Sequence, residues 1–401
     1  MKAAILGYGT VGSGVYEILT KNEAVIAAKA GEAVEVKYVL DLRDFPGDPV
    51  EKVLVHDYEI IAADPEIAIV IEVMGGVKPA YEFVKRALLA GKNVCTSNKE
   101  LVAKHGAELL AIAKEQKVNF YFEASVGGGI PIIRPLQECL TADVYEEISG
   151  ILNGTTNYIL TRMYNEGADF DGVLKEAQAC GYAERNPAAD IEGHDAGRKI
   201  AILASLAEGK KVAFEDVTVE GITAISSTDI QYAKALGAKI KLIASAKWEN
   251  GSLFMMVAPK LITAANPLYS IDDVVNAVKV RGNMLGDVMF SGRGAGKLPT
   301  ASAVVSDVVA AAKHAKENTG FFWSEEVRRP ESTDTMVNRF LVRVDADKKA
   351  KAEAVFGAGK EVSIGLADEF AFVTEPMQES VFAAKAAELG ELRGRIRAEL
   401  V

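Results

Sequence analysis

The chain begins with an apolar run, Lys2–Leu6 (KAAIL), and passes directly into Gly7-Tyr8-Gly9-Thr10-Val11-Gly12. This spacing constrains the fold more than any other feature. The first glycine permits a tight turn, the second lets a pyrophosphate approach the backbone, and the third lets a helix pack closely on its strand. The helix that follows, read from VGSGVYEILTKN, would offer unpaired N–H groups to a phosphate. A lone GxGxxG carries little weight. One that follows a strand and opens a helix predicts a nucleotide-binding turn, with Gly7, Gly9, Thr10, Val11 and Gly12 around the ligand.

The rest of the first third agrees. VKYVL (36–40), IAIVIEV (67–73), KNVCTS (92–97) and NFYFEA (119–124) read as buried strands, separated by the amphipathic stretches KPAYEFVKRALLAG and KELVAKHGAELLAIAKEQ. Strands alternating with helices predict the α/β class, here a Rossmann-type doubly wound parallel sheet. At the end of the second strand, Asp41 is placed to hold ribose hydroxyls, as in NAD sites, and Arg43 could accept the 2′-phosphate of NADP. Both cofactors stay open on these residues.

Composition narrows the function. The chain has 401 residues, enough for two or three domains, with a net charge of −11 and 25% charged residues. That balance argues against a nucleic-acid footprint or an anionic membrane surface as partner. The three cysteines, Cys95, Cys139 and Cys180, are widely separated and show no disulfide framework or zinc spacing. The first apolar run is too short for a signal peptide, and a cytoplasmic location is the default expectation.

Further along, EEISGILNGTTNYIL reads as a strand entering a helix through a polar turn, and residues 239–262 as two strands joined at Asn250-Gly251, a strong hairpin signal. SGRGAGKLPTASAVVSDVVAAAKHAK returns to a glycine-rich loop and a long helix. The expected division is a dinucleotide-binding domain over 1–130 plus about 295–320, and a middle α+β substrate-binding and dimerisation domain over 131–294. Residues 318–334 read as a linker, and 335–401 as a small separate β-α-β-β-α-β module of the ferredoxin-like kind.

Three clusters could carry chemistry. Lys99 lies just past a strand end, where open α/β sheets face their ligands. Glu123 precedes Gly127–Gly129, and carbonyls beside a carboxylate suit a hard cation, although the residues alone favour a tight turn between two domains. The segment AADIEGHDAGRK (188–199) gathers Asp190, Glu192, His194 and Asp195 before Lys199. A single histidine without HExxH-type spacing makes a poor metal site. An acidic helix start is the simple alternative. Asp195 and Lys199, however, are at i and i+4 and share a helical face, so a carboxylate could orient an ammonium that protonates an oxygen as hydride reaches the adjacent carbon.

Taken together, AQACGYAERNPAADIEGHDAGRK (177–199), GYGTVG, TSNKELVA, EASVGGGIPII, LNGTTNYIL and GRGAGKLPTASAVVSD resemble, in order, the blocks of the homoserine dehydrogenase family. The resemblance spans residues 1 to about 320. It implies reversible NAD- or NADP-dependent interconversion of L-homoserine and L-aspartate 4-semialdehyde, on the route to threonine and methionine. It also implies Lys199 as proton donor beside Asp195, Lys99 as a second active-site lysine, and Glu184 and Asp190 as substrate ligands. Arg43, Ser97, Lys99 and Gly294 join Thr10 and Val11 as cofactor contacts. Glu123, with the carbonyls of Val126, Gly128 and Ile130, resembles the family's monovalent cation site, usually sodium, and a homodimer is implied. Two features depart from the family pattern. Leu42-Arg43 follows Asp41 where relatives show a simpler Arg-Asp pair, and the C-terminal module, similar to a short ACT domain, reads DADKKAK where such modules usually carry a glycine. An acylating semialdehyde dehydrogenase would need a nucleophilic cysteine, yet NGTTN (153–157) has glycine at that place. A non-catalytic nucleotide or amino-acid sensor would not require the Glu184, Asp195 and Lys199 set.

Overall fold

The computed structural model describes residues 1–357 and 359–400. The chain forms two compact units, one of residues 1–143, 201–214 and 290–328, the other of 144–200, 215–289 and 329–401.

The first unit is built on six strands, β1 (Lys2–Leu6), β2 (Glu35–Leu40), β3 (Leu54–Val55), β4 (Ile67–Glu72), β5 (Asn93–Thr96) and β6 (Phe120–Tyr121). All neighbours are parallel, in the order β3-β2-β1-β4-β5-β6, the arrangement of a dinucleotide-binding sheet. The strand order reverses between β1 and β4, so the switch point lies at the end of β1, where the glycine turn begins. Helix α1 (Thr10–Lys21) follows that turn and α2 (Lys99–Glu115) follows β5. The five expected strands all form, the one expected over 119–124 only at Phe120–Tyr121; the two-residue β3 at Leu54–Val55 lies in an apolar run of only three residues, 53–55, too short to mark a strand.

The expected linker is not one. Phe321 and Trp323 are buried, and Ser324–Val327 pairs in parallel with Lys210–Lys211. A Cβ on Gly106 would lie 2.4 Å from the Trp323 ring, so a glycine in the middle of α2 is what admits the indole. Burying two large aromatics outweighs the turn-like composition around them.

The second unit carries an eleven-stranded sheet. Its strands include β7 (Tyr145–Ile151), the hairpin β8 (Lys239–Glu249) and β9 (Ser252–Ile262), then β10 (Val275–Gly282) and β11 (Gly286–Arg293). The hairpin turns at Asn250 and Gly251, both with positive φ (51° and 80°), as a two-residue turn requires. Helix α3 (Gly154–Glu166) follows β7 after a two-residue turn, and α4 starts at His194 (His194–Glu208).

The C-terminal segment forms β12 (Val337–Asp345), α5 (Lys349–Phe356), β13 (Lys360–Val362), β14 (Glu369–Val373), α6 (Glu379–Leu389) and β15 (Gly394–Glu399). Its strands run antiparallel in the order β15-β12-β14-β13, the expected ferredoxin-like arrangement. Phe340, Phe356, Phe370, Phe372 and Phe382 fill its core.

The segment is not a separate body, as the sequence suggested, because β15 pairs in parallel with β9 and makes one sheet with the middle domain. Buried charges cross the same seam. The Arg343 guanidinium binds Glu369 at 2.6 Å and reaches Asp229, on a helix of the middle segment, at 2.7 Å. Arg397 binds Glu379 and Glu220, each at 2.7 Å, and Lys260 binds Glu399 at 2.7 Å. Among the described residues, no helix is long and apolar enough to cross a membrane.

Truncating Arg343 would take the guanidinium from the buried Asp229 and leave Glu369 with the longer ion pair to Arg393, at 3.3 Å. Arg343→Ala is therefore expected to cost about 3–5 kcal/mol, read as a lower urea midpoint. A loss below about 1 kcal/mol would show that the pair behaves as an exposed one.

Candidate active site

In the second unit, four residues near the β7–α3 turn converge. Lys199 lies in the second turn of α4, and its Nζ donates to the Leu152 carbonyl at 2.8 Å and pairs with Asp195 Oδ2 at 2.8 Å. Both side chains are buried. Asn153 caps α3 by accepting from the Thr156 N–H at 2.9 Å, which leaves its amide group to donate. That group reaches Asp190 Oδ1 at 2.7 Å and Asp195 Oδ2 at 3.0 Å. One turn residue thus orients both acids and, through Asp195, the ammonium. Asp195 and Lys199 share a helical face as their spacing predicted, and Asp190 joins them. Asn153 was legible only as part of the LNGTTN block; its signal was an N-cap residue directly after a strand.

Glu184 lies in the exposed loop between Ala179 and Ala188. That loop is tied to the start of α3, since Thr155 Oγ1 donates to the Tyr182 carbonyl at 2.6 Å. His194 faces Glu192 at 3.7 Å at the start of α4. Among the described residues, no group of three His, Cys, Asp or Glu side chains could hold a metal.

In the first unit, the glycine turn borders a cleft of about 630 Å³ lined by Gly7, Gly9, Asp41, Arg43 and Met74 among others. Gly7 has φ +99°, a Cβ on Gly12 would lie 2.0 Å from the Gly7 carbonyl oxygen, and nothing lies within 4 Å of a Cβ built on Gly9. Turn, close packing and open approach thus fall on the three glycines as their spacing implied. Gly9 is also the residue before α1, so the helix N-terminus opens at the same place. The Asp41 carboxylate accepts the Tyr8 N–H at 2.8 Å and receives Arg43 through Nε and a terminal nitrogen, both at 2.9 Å. Arg43 holds the Asp41 carboxyl well below its ordinary value despite partial burial. The Arg43 side chain is itself 63% exposed, so it can turn to a ligand.

Ser97 and Lys99 flank Asn98, which caps α2 by accepting the Leu101 N–H at 3.1 Å. Glu123 is buried; its carboxylate accepts the N–H groups of Ile132, Ile133 and Arg134 at 2.5, 2.8 and 2.9 Å. A Cβ on Gly128 would lie 2.1 Å from the Gly294 carbonyl oxygen, and the Gly129 N–H donates to the Arg293 carbonyl at 3.0 Å. The triple-glycine turn and the GRGAG loop are therefore packed backbone to backbone. Beneath them, Asp307 Oδ2 accepts the Glu123 N–H at 2.8 Å. Burial pushes the Asp307 carboxyl up to about 8, with Glu123 adding to the rise and Arg134 opposing it.

Two family models match this chain: "Homoserine dehydrogenase, NAD binding domain" over residues 7–123 and "Homoserine dehydrogenase" over residues 131–309. The homoserine dehydrogenase of Synechocystis sp. is 50% identical over 317 residues, covering 77% of this chain and 72% of that protein. A homoserine dehydrogenase crystal structure from Thiobacillus denitrificans superposes with TM-score 0.89 at 34% identity, covering all of this chain and 98% of that one. A hyperthermophilic archaeal homoserine dehydrogenase in complex with NADPH matches with TM-score 0.66 at 29% identity, covering 77% of this chain and 97% of that one.

Asp307 generates a pH prediction. An ordinary aspartate titrates near about 4. With its native value near 8, the folded protein binds more protons than the unfolded chain between those limits. Stability therefore falls as pH rises through this window, by at most about 1.4 kcal/mol per pH unit. The isosteric Asp307→Asn should lack this contribution, so its urea midpoint relative to wild type should rise from pH 5 to pH 8. Parallel curves for the two proteins would contradict the buried protonated carboxyl.

Proposed function

The chain belongs to the homoserine dehydrogenase family, and we propose that its Lys199 ammonium is the proton donor of the reaction that family membership assigns. The reaction is the interconversion of L-homoserine and L-aspartate 4-semialdehyde, an oxidoreduction of amino-acid biosynthesis that uses a nicotinamide cofactor. The observation that carries the assignment of Lys199 is its placement: a buried ammonium that, among the described residues, engages Asp195 and the Leu152 carbonyl. Its remaining N–H group is proposed to reach a substrate oxygen.

When bound, the dinucleotide supplies the hydride that reduces the aldehyde carbon. The remaining work falls to this chain. Lys199 transfers a proton to the aldehyde oxygen as negative charge develops there, giving the alcohol; in the reverse direction it recovers that proton. Asp195 holds the ammonium in place and Asn153 holds Asp195. Asp190, fixed by the same amide, and Glu184, on the adjoining loop, are proposed to bind the α-ammonium of the substrate. Lys99, the first residue of α2, is proposed as a second charged contact for substrate and cofactor.

The glycine turn, the N-terminus of α1 and the cleft beside Asp41 and Arg43 fit a dinucleotide, with Thr10, Val11, Ser97 and Gly294 as further contacts. NADPH is the favoured form here, because Arg43 offsets the Asp41 charge that would repel a 2′-phosphate. The archaeal relative bound to NADPH supports this choice. A sodium ion at residues 123–130 would take the main-chain oxygens of Glu123, Val126, Gly128 and Ile130. The Glu123 carboxylate is already engaged by three amide groups, so it would contribute charge rather than a ligand atom. The reading extends to a homodimer, and to an ACT-like module over residues 335–401, which the strand order supports.

Mixing the enzyme with aspartate semialdehyde and NADPH or NADH, and following the loss of reduced cofactor, tests the activity; no turnover with either would end the assignment. Lys199→Ala should lose about 10²–10⁴-fold in kcat with little change in dinucleotide affinity, and a variant of unaltered rate would remove the proton-donor role. Arg43→Ala should weaken NADPH binding by about 10-fold or more while leaving NADH binding nearly unchanged; equal losses for both would rule out a 2′-phosphate contact.

A further inference from the structure

We propose that Glu72 is a positioning residue that locks together two loops bordering the dinucleotide cleft, and so fixes the shape in which the cleft receives its ligand. The proposal rests on the dinucleotide reading of that cleft. Glu72 is the last residue of β4 and fully buried. Its Oε1 accepts the N–H of Met74 at 2.8 Å and that of Gly75 at 3.4 Å. Its Oε2 accepts the Thr96 hydroxyl at 2.5 Å. Thr96 Oγ1 in turn accepts the Asn98 N–H at 2.9 Å, and Asn98 Nδ2 donates back to the Gly76 carbonyl at 2.5 Å. The chain from Gly76 to Glu72 closes the ring.

This ring joins the loop after β4 to the loop after β5. The first contains Gly75 and Gly76, both with positive φ (83° and 70°), a conformation glycine adopts without strain. It also contains Met74, which lines the cleft and packs on the phosphate turn, since a Cβ on Gly7 would meet Met74 atoms from 3.0 Å. The second loop delivers Ser97 and, through the Asn98 cap, the start of α2 with Lys99. Both loops follow the carboxyl ends of parallel strands, where ligands of such sheets bind.

The donor set matches a carboxylate. Two N–H groups aim at Oε1 and one hydroxyl at Oε2, so an amide in place of the carboxylate would set an NH2 donor against either the two N–H groups or the hydroxyl. Burial pushes the Glu72 carboxyl up, and the Thr96 hydroxyl and the loop amides oppose that rise. The mechanism assigned to this family of reactions places no proton on Glu72, so its place in the structure is accounted for by the ring.

Glu72→Gln, Thr96→Val and Thr96→Ser test this in the full-length protein, with NADPH binding followed by fluorescence titration. Glu72→Gln is expected to raise the NADPH Kd by about tenfold or more. Thr96→Val should raise it by about threefold or more, with Thr96→Ser restoring the wild-type value. At saturating NADPH, the KM for aspartate semialdehyde should rise by less than the NADPH Kd in all three, because only Lys99 links the ring to the substrate. A wild-type Kd in folded Glu72→Gln overturns the proposal. So does a proportional rise in both the Kd and the semialdehyde KM, which would mark general loosening. Should Glu72→Gln fail to fold, Thr96→Val decides: a wild-type Kd overturns the proposal and a raised one rescued by serine supports it. A wild-type protein that binds NADPH but does not turn over would count against the activity and leave the Glu72 test intact.

Discussion

The candidate active site in the second unit is organised around the burial of the Lys199 ammonium. Taking an ammonium out of water costs several kcal/mol unless its hydrogen bonds are replaced. Lys199 meets that condition with a carboxylate on its own helix and a carbonyl from the β7–α3 turn. The carboxylate must be held in its turn, and Asn153 does so from the helix-cap position, where its oxygen is already committed to Thr156. The charge, its counter-ion and the cap are therefore one arrangement. A strand, a two-residue turn and two helix starts must all be in register for any of them to form.

The first unit solves a related problem with negative charges. Asp41 directly follows β2, Glu72 ends β4, and Glu123 lies two residues after β6. Each accepts main-chain N–H groups from an adjoining loop: Tyr8 for Asp41, Met74 and Gly75 for Glu72, and residues 132–134 for Glu123. Loops at the carboxyl edge of a parallel sheet carry amide groups with no sheet or helix partner, and burying such a group unmet costs about 1–3 kcal/mol. Acids at alternate strand ends supply the missing acceptors, and the glycine-rich loops they hold are those that border the cleft and the candidate cation site.

This pattern explains what was legible in the sequence and what was not. The five expected strands of the first sheet, the Asn250-Gly251 hairpin and the β-α-β-β-α-β order follow from periodicity and turn chemistry, which are local. The glycine turn and the Asp195–Lys199 pair are also local, one a fixed spacing and the other one helical turn. Glu72 and Asn153 left no comparable mark. An acid at a strand end reads the same whether it holds ribose or a neighbouring loop, and the partners that decide, Thr96 and Asp195, lie 24 and 42 residues away. The stretch 318–334 was misread for a similar reason. Its proline, glycine and charge content is that of a linker, and only the glycine within α2 shows where the Trp323 indole would go.

The seam between β9 and β15 raises a different question, because the ferredoxin-like segment has an aromatic core of its own and needs no ion pairs to cohere. A buried ion pair is weak evidence for added stability, since apolar residues of similar volume often do as well; its better-supported use is to fix register. Here that use has a physical object. A parallel pair of only three residue positions, Lys260 with Arg397 through Ile262 with Glu399, specifies its register weakly through backbone bonds alone. A one-residue slip of the segment along β9 would carry Arg397 away from Glu220 and Glu399 away from Lys260, leaving the buried Arg397 and Lys260 without their partners across the seam. The charges at the seam thus select one alignment of β9 and β15 within their shared sheet, and they tie the C-terminal segment to the unit that presents Lys199.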